Sequence, residues 1–261
     1  MDWTTPGLGL RIGGHRGAAH EAPENTIAGF ALAAGAGVDY LELDVQLAAD
    51  GVALVFHDDD LDRTTDGTGP FSAHSSAELL RLDAGGWFGP AFEGERIPTL
   101  DGFLDWLVER PRPGATIEAK GTGTGAPIAR AIAASPNRSH CSICSFSADE
   151  LRTAATLDPS IPRMLIVDRD DPDADLVALA FGARAGAVNV PIEWLTGEVV
   201  DGLHAAGLLV AGGTVDDAAG IATCLALGID LVDTNRPSVA VAARDAAIRR
   251  ESAGDEGGDI G

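Results

Sequence analysis

Short apolar runs alternating with Ala- and Leu-rich helical stretches recur along almost the whole chain, and no other feature restricts its fold as strongly. The runs fall at 10–14, 38–47, 116–119, 142–146, 163–167, 187–191, 208–212 and 229–234. Helical patterns at 26–36, 101–109, 126–134, 148–156, 173–181, 197–206 and 216–227 separate most of them. Strand, helix, strand in repeated order predicts an α/β protein built on a parallel sheet. Eight such runs predict closure into a (β/α)8 barrel in preference to an open doubly wound sheet. A length of 261 residues suits one barrel domain, expected over 1–250, with the Gly- and acid-rich stretch 251–261 as a disordered tail.

The rhythm breaks between 58 and 98, where turn signals and the aromatics Phe71, Trp87, Phe88 and Phe92 cluster. A segment this long between barrel elements reads as a lid or small subdomain. With so few aromatics in the chain, the four are expected to form a mini-core; an apolar landing surface for a lipid is the alternative.

Charge excludes some functions. A formal net charge of -22 repels phosphate backbones, so nucleic acid is not an expected partner. An anionic substrate would need a local exception, and Lys120, the chain's single lysine, is one candidate. Cys141, Cys144 and Cys224 read as reduced thiols. Cys141 and Cys144 fall on opposite faces of a strand, which excludes a C-x-x-C centre. The sequence shows neither a secretory leader pattern nor an apolar stretch long enough for an integral membrane segment. A cytoplasmic protein is therefore expected, with its oligomeric state left open.

Carboxylates and histidines converge on the first strands. In Tyr40-Leu41-Glu42-Leu43-Asp44-Val45, Glu42 and Asp44 share a face, roughly 7 Å apart, while the aliphatic residues take the other. Two acids pointing into a barrel are costly to desolvate unless a cation sits between them. Asp50-Gly51 then predicts a two-residue hairpin loop whose register sets His57 opposite Asp44. In Thr116-Ile117-Glu118-Ala119-Lys120, Glu118 and Lys120 share a face at the rim where barrel enzymes keep their chemistry. Gly14-His15-Arg16-Gly17 ends the first strand at the same rim. Oxygen ligands of this kind suit Mg2+ or Ca2+ better than zinc. Such a cation with Arg16 and Lys120 would neutralise a phosphodiester, and His15 and His57 would supply acid and base.

These motifs, with Pro23-Glu24-Asn25-Thr26, Phe56-His57-Asp58, the stretch from Asp62 to Gly69, Arg96-Ile97-Pro98-Thr99-Leu100, Ser145-Phe146 and Asn235-Arg236-Pro237, resemble those of glycerophosphodiester phosphodiesterases. The resemblance covers about residues 10 to 240. It implies a TIM barrel with a small insertion after the second strand, here 58–98. It further implies one divalent cation (Mg2+ or Ca2+, with Mn2+ possible) on Glu42, Asp44 and Glu118. His15 and His57 would form the acid/base pair, and Arg16 and Lys120 would bind the phosphate of a small glycerophosphodiester. The implied products are glycerol 3-phosphate and an alcohol, formed by attack of the substrate's 2-hydroxyl on phosphorus and hydrolysis of the cyclic phosphate. Two positions depart from the family pattern: Gly213 stands where a tryptophan is frequent, and Asp233 where an apolar residue is usual. Competing readings are a lysophospholipase D-type enzyme, a Schiff-base lyase using Lys120, and a non-catalytic binding barrel.

Overall fold

In the computed structural model, which describes residues 2–110, 112–168 and 174–255, the strand–helix alternation closes on itself. The elements run β1 (Arg11–Gly14), α1 (Ile27–Ala36), β2 (Tyr40–Leu47), β3 (Ala53–Val55), α2 (Ser76–Leu79), α3 (Leu100–Val108), β4 (Gly114–Ala119), α4 (Gly125–Ala134), β5 (Cys141–Ser145) and α5 (Ala148–Leu157). They continue as β6 (Arg163–Ile166), α6 (Leu176–Gly182), β7 (Ala187–Pro191), α7 (Gly197–Ala205), β8 (Leu209–Gly213), α8 (Ala218–Leu227), β9 (Leu231–Thr234) and α9 (Pro237–Asp255). The sheet order is β1-β9-β8-β7-β6-β5-β4-β2-β3, and parallel pairing of β1 with β2 closes the ring. Eight parallel strands thus form a (β/α)8 barrel, and β3 hangs on β2 as an antiparallel edge.

Alternation along the strands divides the core in two. Outward-facing Leu41, Leu43, Val45, Ile117 and Ile143 pack under the helices in the larger cluster. Inward-facing Tyr40, Cys144, Met164, Leu209 and Leu231 form a smaller cluster with Trp3, whose ring meets that of Tyr40 edge-on at 5.5 Å. Cys141 belongs to the outer cluster and Cys144 to the inner one, as their strand positions require. The inner apolar layer fills the barrel, so polar inward positions nearer the strands' C-terminal ends line the cleft above it. Helix starts are set locally: Thr26, Thr99, Ser147, Asp175, Thr196 and Asp217 each accept a backbone N–H of their own first turn.

Two expectations change in detail. The β2–β3 hairpin sets Val45 opposite Val55 and Leu47 opposite Ala53, one residue out of the expected register. Ala48 N–H bonds the Val52 carbonyl at 3.0 Å, and Gly51 takes φ +80°, so the loop is a three-residue turn over 49–51. Asp44 therefore faces Phe56, whose N–H donates to its carbonyl at 3.0 Å. The chain also continues as α9, so residues 251–255, read as tail, are helical, and 256–261 lie outside the described residues. Pro237 stands at the start of α9, where its missing N–H costs nothing.

The insertion has a core of its own, including Leu54, Phe56, Leu61, Phe71, Leu79 and Ile97, with Phe71 stacked on Phe56 at 5.0 Å. The mini-core holds only one of the four aromatics singled out. Trp87 is 41% exposed and forms an edge-to-face chain with Phe88 and Phe92 outside it.

Glycine at 13 is a packing requirement of the barrel interior. A Cβ there would lie 2.2 Å from the Tyr40 ring and 2.6 Å from Asp233 Oδ1. Gly13→Ala should destabilise the fold by about 1–3 kcal/mol, the usual cost of overpacking. Equilibrium denaturation that left the midpoint unmoved would show that the interior relaxes freely.

Candidate active site

The polar inward positions open into a cleft of about 360 Å³ at the C-terminal ends of the strands. Glu42 and Asp44 come from β2 and Glu118 from β4, where the register pairs Asp44 with Glu118. One carboxylate oxygen from each lies within 4.8 Å of the other two, and all three side chains are buried. Burial, followed by the charges of Asp44, Asp233 and Glu118, pushes the Glu42 carboxyl well above its ordinary range. Burial and Asp44 likewise push Glu118 up to about 7. Asp44 is also desolvated, but Arg16, His57 and Lys120 outweigh that and hold its carboxyl down.

Two cations face this cluster. Arg16 sits in the left-handed region at φ +52° where the chain leaves β1. This bend aims its backbone N–H at Glu42 Oε2, 2.9 Å away. Its Nε lies 3.2 Å from Asp44 Oδ2, within ion-pair distance but off hydrogen-bond alignment. Lys120 Nζ is 3.3 Å from Glu118 and 3.6 Å from Asp44. Three buried acids against two cations leave the cluster short of positive charge, and all-oxygen donors of this spacing fit a hard divalent ion.

Each histidine is held from behind. His15 Nδ1 is 2.8 Å from Asn235 Oδ1, and Asn235 in turn donates to Asp216 from its amide at 2.9 Å and its backbone at 2.7 Å. His57 Nδ1 is 2.6 Å from Asp58 Oδ1. Arg63 bridges Asp58 to Glu24 with two contacts to each carboxylate, and Glu24 accepts from Arg16 at 2.9 Å. The Arg63 guanidinium, then burial opposed by His57, sets the Asp58 carboxyl at about 2. In both rings, an Nδ1 hydrogen given to an oxygen acceptor leaves Nε2 for the cleft.

All seven residues singled out in the sequence border or form this one site: six line the cleft, and the buried Asp44 lies against two of them, Arg16 and Lys120. His57 arrives by a different route from the one expected. It has left β3, and Gln46 holds its segment by donating from Nε2 to the carbonyls of Phe56, His57 and Asp58 at 3.2, 2.9 and 2.8 Å. Asn25 donates to Asp44 Oδ2 at 2.8 Å, which gives this rim residue a contact with the acid cluster. Gln46, Asp216, Asn235 and Arg63 escaped the sequence reading as site supports. Gln46 shares the β2 face of Glu42 and Asp44, which was the available signal; Asp216 and Asn235 meet only through the fold.

Residues 15–239 match the glycerophosphoryl diester phosphodiesterase family. The chain belongs to that family. A glycerophosphodiester phosphodiesterase of Bacillus subtilis (strain 168) is 30% identical over 245 residues, covering 86% of this chain and 83% of the relative. Among solved structures, an Agrobacterium tumefaciens glycerophosphodiester phosphodiesterase superposes with a TM-score of 0.80 at 33% identity, over 89% of this chain and 99% of that one. An Oleispira antarctica phosphodiesterase in complex with its product, sn-glycerol-3-phosphate, has a TM-score of 0.84 at 30% identity, over 90% and 96%. The barrel and the buried acid cluster of this family member therefore sit on a fold shared with solved phosphodiesterases. Among the described residues, no helix is long and apolar enough to cross a membrane.

The acid cluster makes stability depend on pH in a defined direction. A carboxyl raised from 4.5 to about 7 in the folded state stabilises fully below 4.5, and that contribution is lost as pH rises through 7. Metal-free protein should therefore lose melting temperature between pH 5 and pH 8, and saturating Mg2+ or Ca2+ should restore more of it at pH 8 than at pH 5. Glu118→Gln should flatten the pH dependence and reduce the cation effect. Equal cation-induced shifts at both pH values would contradict a site that displaces protons.

Proposed function

We propose that this protein hydrolyses glycerophosphodiesters to glycerol 3-phosphate and an alcohol by histidine acid/base catalysis with one divalent cation. The observation that carries this reading is the meeting of a cation-deficient acid cluster, two tethered histidines and two cationic side chains in one cleft. Glu42, Asp44 and Glu118 would hold Mg2+ or Ca2+, with Mn2+ also suited. When bound, such an ion polarises a phosphoryl oxygen and neutralises charge developing on it.

The chain's own groups account for the rest. Arg16 and Lys120 bind the phosphate from the side of the acid cluster, where each is already held by carboxylates. His15 and His57, each fixed at Nδ1, exchange protons at Nε2 with the attacking and departing oxygens. The Asp58–Arg63–Glu24 bridge ties the orientation of His57 to that of Arg16, so acid/base and phosphate groups stay in register. Lys120 does not suit a Schiff base: burial lowers its ammonium pKa, but Asp44 and Glu118 outweigh that and hold it above the ordinary lysine value.

One observation favours a second substrate class. Trp87 stands 41% exposed on the insertion, a surface on which the acyl chain of a lysophospholipid could rest. Faster turnover of long-chain lysolipids than of glycerophosphocholine, lost in Trp87→Ala, would establish that class instead.

Glycerol 3-phosphate release from glycerophosphocholine and glycerophosphoethanolamine should vanish in EDTA and return with Mg2+, Ca2+ or Mn2+. His15→Ala and His57→Ala should each lose about 100-fold or more in kcat while retaining the metal. Glu42→Gln should weaken metal affinity, measured by calorimetry. Asp58→Asn should lower kcat more than it raises KM. Near wild-type turnover in either histidine variant would remove that residue from the mechanism.

A further inference from the structure

The cleft has a second polar wall whose function the acid cluster, the histidines and the two cations leave unexplained. In the ring of strands, Asn189 on β7 stands across from β2, while β9 lies two strands from β2 on the β1 side, so this wall runs from beside the acid cluster to the far side of the barrel. Its central group is Asp233 on β9, which lines the cleft yet is only 5% exposed. Asp233 Oδ1 accepts from the Tyr40 hydroxyl at 2.9 Å. Among the described residues the one protein donor to Oδ2 is the Asn189 amide, at a long 3.4 Å. A carboxylate can accept about four hydrogen bonds, so Oδ2 retains acceptor capacity on the cleft side. The Asn189 carboxamide oxygen likewise meets no donor among the described residues.

Two glycines keep this carboxylate in place and open. Gly13 makes room for the Tyr40–Asp233 bond, which a Cβ at 13 would disrupt. Gly213 neighbours Asp233 in the sheet, and a Cβ there would stand 3.1 Å from Asp233 Cβ. With no side chain at 213, nothing covers the acid from that strand.

We infer that Asp233 and Asn189 form a polyol-reading subsite that accepts hydrogen bonds from the hydroxyls of the substrate's glycerol half. The inference rests on the phosphodiesterase reading. With phosphate held by Arg16 and Lys120 on the near wall, one organic half of the diester extends toward β7–β9. Every glycerophosphodiester carries two free hydroxyls on its glycerol half, each able to donate one hydrogen bond to an oxygen acceptor, and the one that does not attack phosphorus keeps that bond through the reaction. A buried carboxylate short of donors is costly, and a hydroxyl supplies one without bringing in a second charge. An ammonium group would meet the same acceptors at a larger desolvation cost. An apolar group would leave them unmet, and this asymmetry is what makes such a site selective.

The test is competitive binding against the intact protein with Mg2+ present, using sn-glycerol 3-phosphate, n-propyl phosphate and phosphoethanolamine as probes. Propyl phosphate keeps the three-carbon chain and loses both hydroxyls. Wild-type protein should bind glycerol 3-phosphate about tenfold or more tightly than propyl phosphate, one hydrogen bond's worth of discrimination. Asp233→Asn, which retains an acceptor for Tyr40, should shrink that ratio below about threefold without altering propyl phosphate affinity. Asn189→Leu should shrink it as well, which covers an Asp233 variant that fails to fold. Absence of discrimination in the wild type, an equal loss for both phosphates in the variants, or tighter binding of phosphoethanolamine would each overturn the inference. Turnover of glycerophosphocholine by the wild type, measured alongside, reports separately on the phosphodiesterase reading.

Discussion

Repulsion among Glu42, Asp44 and Glu118 inside a barrel otherwise filled with apolar side chains is the constraint on which the surrounding structure turns. Each acid occupies an inward strand position, and the register of β2 against β4 leaves them no room to separate. Arg16 and Lys120 relieve part of that repulsion, and the raised carboxyls of Glu42 and Glu118 record the part they do not. A divalent cation among the three carboxylates would relieve this imbalance. The apolar layer of Tyr40, Met164 and Leu209 below keeps water from relieving it from the barrel interior.

Around the cluster, precision comes from side chains that stand behind the histidines and Arg16. Asp216 and Asn235 hold His15 from the β8 and β9 ends, while Asp58, Arg63 and Glu24 hold His57 and Arg16 from the insertion and the β1–α1 loop. Such supports fix ring orientation in advance, so little reorganisation is left for the moment of reaction. The insertion is thereby part of the site's scaffold, anchored by its own small core under Phe56 and Phe71.

Much of this was legible in the chain itself. The period-two pattern of β2 and β4 put the three acids and Lys120 on the barrel's inner face, and the repeated strand–helix order implied closure. The hairpin was harder: Asp50-Gly51 suits a two-residue loop, yet the turn takes three residues, and the one-residue shift moved His57 off the partner position of Asp44. His57 still reaches the cleft because Gln46 captures the carbonyls of Phe56, His57 and Asp58, a contact no local pattern encodes. The aromatics of 58–98 show the same limit, since composition could not tell the buried Phe71 from the exposed Trp87.

The sequence by itself determined which residues face inward, because strand alternation is a local property of the backbone. It also determined that three acids, two histidines and two cations meet at one rim, because every one of them ends an early strand or its hairpin. Tertiary structure alone decided what stands behind His15, and that Asp233, Asn189 and Gly213 form an open polar wall beside the acid cluster. Those relations depend on ring closure, which brings β9 beside β1 and sets β7 and β8 across from β2 and β4. Closure is a property of all eight strands together, and no segment of the chain carries it.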